Sequence, residues 1–128
     1  MSNRADINRA NLTNSNLSNT RLLEVDLTLA NLSNANLVNA NLSEARLWGA
    51  SLEGANLSNA ILRGTNLEYA NLADTNLSGT DFHSFSFRGY KQETNLSNAN
   101  LEGAIITDVD LNGVILRGTI MPDGSINE

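Results

Sequence analysis

The chain has 128 residues, with 14 acidic against 8 basic side chains, a formal charge of −6 and no cysteine. This length, with 41% hydrophobic and 17% charged residues, suits one domain. The missing cysteines exclude a disulfide framework and a thiolate zinc site, and the scattered basic residues argue against direct nucleic acid binding through phosphates. No run approaches the roughly 18 apolar residues of a membrane span. Met1–Ala10 has no apolar signal region, so a cytoplasmic protein without membrane contact is expected.

Taken in order, the chain is a series of five-residue units. A large apolar residue, here called the centre, stands at Ile7, Leu12 and Leu17 and continues in steps of five to Leu77, Phe82 and Phe87, seventeen in all. The next is Leu96, nine residues on, followed by Leu101, Ile106, Leu111, Leu116 and Met121. A period of five excludes a helix, where successive centres would rotate by about 140° and smear around the cylinder. It excludes a continuous strand too, because every fifth residue would change face. A chain that turns once per unit returns each centre to the same interior, which is a solenoid.

The other slots agree. Two places before the centre stand twelve alanines, six threonines, three valines, one serine and the exceptional Phe85. That residue and the centre point inward together, and the residue between them, usually Asn or Asp, points out. Eight of the nine glycines and six asparagines stand two places after the centre, as a corner with positive φ requires. The break between Phe87 and Leu96 reads as a four-residue insertion, Tyr90–Glu93, bulging from one corner.

The unit A-N-L-S-x, as in Ala30-Asn31-Leu32-Ser33-Asn34 and Ala99-Asn100-Leu101-Glu102-Gly103, resembles the pentapeptide-repeat family over about Ala5–Met121. The resemblance implies an all-β fold, a right-handed quadrilateral β-helix with four units per coil and about six coils. The domain is then residues 5–121, with 122–128 as a capping turn and tail that looks like the ending of small cyanobacterial members. Leu32, Leu37, Leu42, Leu52, Leu57, Leu72, Phe82, Phe87, Leu96 and Leu101 are expected in the core, with Phe85 crowded in beside them. The Pro122-Asp123-Gly124 turn is expected to fold Ile126 over the last coil. Uncovered coil ends suggest end-to-end self-association.

Stacking every twentieth residue, and allowing for the insertion, gives a ladder of Asn16, Asn36, Asn56, Asn76 and Asn100 that would exchange amide hydrogen bonds between coils. It also gathers Leu29, Trp48 and Tyr69 near one corner, with Tyr90 of the insertion close by. This is the candidate surface for a protein partner.

No catalytic residues, cofactor or metal are expected. His83 with Asp81, Ser84 and Ser86 falls on a convex outer surface without the pocket a triad needs. Asp108-Val109-Asp110-Leu111-Asn112-Gly113 imitates a calcium loop, but Thr119 stands where its bidentate glutamate belongs. The expected function is a non-enzymatic rigid scaffold for an unidentified protein partner, in a regulatory role such as some members of the resembled family have. The alternative, also implied by the resemblance, is a DNA mimic acting on a type II topoisomerase, DNA gyrase.

Overall fold

The computed structural model describes residues 4–128; Met1–Asn3, the start of the segment read above for a leader, lie outside the described residues. From Asp6 onward residues before the centres form parallel bridges with the residue one coil on: Asp6↔Asp26, Asn11↔Asn31, Asn16↔Asn36 and Arg21↔Asn41 open four separate columns. The step is 20 residues, so the chain is a four-sided β-helix whose faces are numbered here 1 to 4 in that order. Coil 1 starts at Asp6, coil 2 at Asp26, coil 3 at Arg46, coil 4 at Asn66, coil 5 at Asn95 and coil 6 at Ile115.

One unit shows why the sequence folds this way. The Leu32 N–H donates to the Ser51 carbonyl at 2.6 Å, and the Ser51 N–H donates back to the Ala30 carbonyl at 2.9 Å, tying coil 2 to coil 3. At the corner the Ala35 N–H closes a turn onto the Leu32 carbonyl at 3.0 Å, with φ of 59° at Asn34. Positive φ at the third turn residue alone is the type II pattern, which favours Gly and Asn. Asn31 preorganises the turn, its Oδ1 accepting the Ser33 N–H at 3.0 Å.

Inside, Leu27, Leu32, Leu37, Leu52, Leu57 and Leu72 are fully buried, Leu42 and Leu101 are 1% exposed, and Leu96 is again at 0%. Each such leucine contributes about 1.5–3 kcal/mol of transfer free energy, so the stacked centres carry the fold. The small slot beside them accepts threonine because the hydroxyl finds a carbonyl, in its own turn or on the coil before. Thr75 Oγ1, for example, donates to the Leu72 carbonyl at 2.7 Å.

The break is larger than four residues and begins earlier. Ile61↔Asp81 keeps the step of 20, whereas Asn66↔Asn95, Asn71↔Asn100 and Asn76↔Ile105 are 29 apart. Nine residues are therefore inserted between faces 4 and 1. They project as a hairpin of β1 (Phe85–Phe87) against β2 (Tyr90–Gln92), with Phe87 facing Tyr90 across the turn. The turn residues Arg88 and Gly89 have φ of 50° and 81°, the double positive φ of a type I′ hairpin.

Phe87 is consequently 60% exposed and is no part of the core, Phe85 is half-buried, and only Phe82 of the three, at 2%, fills a centre position. Phe87-Arg88-Gly89 imitates a centre and its corner because both turns need a positive φ where the glycine stands.

Two further expectations are corrected. The asparagine column continues from Asn76 to Ile105, while Asn100 stacks on Asn71. Its Oδ1 atoms serve their own corners, Asn16 accepting from Ser18, Asn56 from Ser58 and Asn76 from Ser78. The Asx turn is local and forms within a coil, so it takes the oxygen that a ladder between coils would use. At the carboxyl end β3 (Thr119–Ile120) pairs antiparallel with β4 (Ile126–Asn127). The tail therefore covers the last coil with backbone, and Ile126 is left 63% exposed.

Candidate functional site

The corner between faces 1 and 2 carries Arg9, Leu29, Gly49, Tyr69, Asn98 and Gly118 at the position of positive φ on successive coils. Asn and Gly adopt this conformation readily, but a bulky side chain loses about 1–2 kcal/mol there. Leu29 and Tyr69 nevertheless hold φ of 60° and 61°. Leu29 lies over Gly49, where a Cβ would stand 2.7 Å from its Cδ2. Trp48, at the other corner position of coil 3, meets Tyr69 with ring centroids 5.6 Å apart at a tilt of 52°. The three remain 39%, 41% and 56% exposed in the order Leu29, Trp48, Tyr69.

Tyr90 is across face 1 from this group. The hairpin leaves at the corner between faces 4 and 1, and its base is seated on Gly64, where a Cβ would stand 2.9 Å from Phe85 Cβ and 3.1 Å from Gln92 Cγ. Thr94 pins that base: its Oγ1 accepts the buried Gly64 N–H at 2.9 Å and donates to the Leu62 carbonyl at 3.0 Å. Tyr90 and Gln92 overhang a polar cleft of about 190 Å³ whose other walls include Glu44, Arg46 and Asn66. Burial in this region pushes the Glu44 carboxyl up, Glu24 adds to the effect, and Arg4 opposes it.

The hairpin adds an element that the repeat pattern concealed. Arg88 stacks on Phe87 at 5.2 Å, and Lys91 is exposed beside Tyr90. The signal was present in the sequence: Phe85-Ser86-Phe87 and Tyr90-Lys91-Gln92 flank a two-residue Arg-Gly turn, as hairpin strands do.

On face 4, His83 stands between two carboxylates. Its Nδ1 is 2.7 Å from Asp81 Oδ1 and its Nε2 is 3.4 Å from Asp110 Oδ2. Arg63 Nε donates to the other Asp81 oxygen at 2.6 Å. Both ring nitrogens thus face carboxylates and neither is directed at a serine hydroxyl, which is the wrong arrangement for activating a nucleophile. The described residues contain no group of three or more His, Asp and Glu able to hold a metal ion, and no helix among them is long and apolar enough to cross a membrane.

The model of the family described as pentapeptide repeats matches residues 5–43, 40–79, 50–89 and 92–121, in eight copies. The chain belongs to the pentapeptide repeat family. Its fold is the right-handed quadrilateral β-helix of that family. This pentapeptide repeat protein is similar to Rfr23 from the cyanobacterium Cyanothece 51142, at 28% identity over 97% of this chain and 88% of that one, with a TM-score of 0.60. It is also similar to alr5209 from Nostoc PCC 7120, at 31% identity over 88% and 84% of the two chains, with a TM-score of 0.51. A search of curated protein sequences finds no significant match. The match over 50–89 runs through the Phe87 unit, so the family pattern persists where this pentapeptide repeat protein leaves its coil.

Proposed function

We propose that this protein is a non-enzymatic scaffold that docks a regulatory protein partner on the corner formed by Leu29, Trp48 and Tyr69, with the Phe87 and Tyr90 hairpin as a second contact. The observation that carries this reading is the left-handed backbone of Leu29 and Tyr69, with φ of 60° and 61°. The core does not need a large side chain at either place, since Gly49 and Gly118 serve the same column without one. Conformational cost retained at exposed positions is characteristic of binding sites. A rigid coil presents the group already ordered, so association loses little conformational entropy.

The test is affinity capture from lysate with wild type and a Leu29, Trp48 and Tyr69 triple-serine variant, retained proteins being identified by mass spectrometry. Loss of a retained protein with the variant supports the reading; an identical set of proteins removes it. Sedimentation velocity across protein concentrations distinguishes a foreign partner from end-to-end stacking of this chain.

A specific observation keeps the DNA-mimic reading as a second proposal. Glu53, Asp74, Glu102 and Asp123 follow one another up the corner between faces 2 and 3, and the bridging columns of those two faces carry no charged residue. A one-signed ridge along a rod suits a surface that accepts double-stranded DNA. Inhibition of gyrase supercoiling that is relieved by Glu53→Gln with Glu102→Gln would support it. No inhibition at micromolar protein would exclude it.

A further inference from the structure

Face 4 is where the ladder between coils 4 and 5 is interrupted. The other faces keep their bridges across this level: Asn66↔Asn95, Asn71↔Asn100 and Asn76↔Ile105. On face 4 the corresponding pair would be Asp81 and Asp110, and among the described residues it forms no bridge. The segment 108–114 makes turn bonds of its own, Val109 N–H to the Ile106 carbonyl and Val114 N–H to the Leu111 carbonyl, but no backbone hydrogen bond to coil 4 among the described residues. Its backbone is fastened on either side, where Gly79 N–H meets the Thr107 carbonyl and Ile115 N–H meets the Thr94 carbonyl. The polar side-chain contact across the gap is His83 Nε2 to Asp110 Oδ2, while Val109, Leu111 and Val114 of the same segment pack against the core from inside.

Neutral imidazole has one N–H donor and one lone pair, whereas imidazolium has two donors. His83 has a carboxylate oxygen against each nitrogen, so only the protonated ring donates to both at once. We propose that His83 is a proton-operated latch, which holds residues 108–114 of coil 5 on coil 4 when protonated and releases them when neutral. This device is independent of the docking corner proposed above.

The charged groups facing the ring are Asp81 beside it and Asp110 on the next coil, with Arg63 reaching Asp81 from the coil before. The hydrogen bond to Asp81, then that to Asp110, holds the His83 pKa above the usual histidine value. Burial pushes the Asp81 carboxyl up, but bonds from the His83 N–H and from Arg63 outweigh it and leave it low. The Asn112 N–H, then His83, lowers Asp110. A raised histidine value means that the latch is fully formed below the ordinary histidine pKa and lost as pH rises through the folded value. The depressed carboxylates keep their charge until pH falls below their usual range, which sets the acid limit of the same window.

His83 is the single histidine, so its titration can be followed without overlap by nuclear magnetic resonance. The proposal expects a midpoint above that of a model peptide, shifted down in Asp110→Asn. It also expects Val109 and Val114 amide protection, corrected for intrinsic exchange, to fall several-fold in wild type as pH rises through that midpoint. In His83→Gln the protection should not change across the same range, and the Leu57 amide should be constant in both proteins. An unchanged midpoint in Asp110→Asn, or the same loss of protection in His83→Gln as in wild type, would overturn the latch.

Discussion

Replacing Thr94 by valine keeps its shape and removes one oxygen, which isolates what that oxygen does for the hairpin. At an ordinary corner the N–H two places after the centre donates to a carbonyl one coil on, as Gly54 does to Ala73 at 3.0 Å. Gly64 has no such carbonyl, because the chain turns away into the hairpin, and its N–H donates to Thr94 Oγ1 at 2.9 Å instead. Thr94 is fully buried and Gly64 is buried with it. Of the hydroxyl's two carbonyl partners, Leu62 keeps its bonds from the Thr65 N–H and hydroxyl, and His83, at 3.4 Å, belongs to an exposed residue. The uncompensated loss in Thr94→Val is therefore one buried N–H, which costs about 1–3 kcal/mol. In the control Thr75→Val the Leu72 carbonyl still accepts the Thr75 N–H and no donor is stranded, so only about 0.5–1.5 kcal/mol is at stake. Urea unfolding measures both, and the Gly64 amide should exchange faster in Thr94→Val alone. Equal costs for the two variants, with Gly64 protection unchanged, would refute the reasoning.

Leu57→Ala should cost about 2–5 kcal/mol in the same urea assay, because a fully buried centre is cut back within a stack that cannot collapse around it. Gly54→Ala should lose about 1–2 kcal/mol from its φ of 70°, with a further loss because the new Cβ collides with Asn34 Oδ1; Asn34→Gly in the same chain should recover the second part but not the first. Tyr69→Asn should leave stability within about 1 kcal/mol of wild type, the lost contact with Trp48 offsetting the relieved backbone. The same variant should weaken partner capture.

The period of five revealed the coil because each slot has a different physical demand: a large centre, a small inward neighbour and a corner residue that tolerates positive φ. Leu32, Ala30 and Asn34 each satisfy one of them, so the interior could be read position by position. Positions 83–93 mimic the pattern for the same reason. Phe87 and Gly89 stand where a centre and a corner would, and the pattern alone cannot show that Gly89 serves a two-residue hairpin instead. The consequence runs on by register: an insertion of four would stack Asn100 on Asn76 and bring Tyr90 near Tyr69, whereas nine puts Asn100 on Asn71. Trp48 and Tyr69 were paired correctly because they precede the insertion. The position of His83 between Asp81 and Asp110 is not legible in the sequence, since Asp110 lies 27 residues from His83 and the two meet only when the insertion is counted as nine.

The fold leaves few places where a sequence can vary without cost, and this separates structural from functional choices. Inward slots are set by packing, and where the residue before a centre is Asn or Asp its side chain is held by an Asx bond to the corner, as at Asn31 and Asn56. The first corner residue is nearly free, as Ser33, Val38, Ser43, Trp48 and Glu53 show in successive units. The second is restricted in backbone, and often in space by the corner residue of the coil before, so Asn34 and Asp74 fit readily while bulky residues there, Arg9, Glu24 and Glu44 as well as Leu29 and Tyr69, bear a conformational cost. A large apolar residue at the first corner position, like Trp48, is therefore weak evidence of use, because it disturbs nothing. Leu29 and Tyr69 at the second position carry more weight, since each loses stability that Gly or Asn would retain. The two lie on either side of Trp48 in one corner of successive coils, so the cost falls where an exposed apolar surface is assembled.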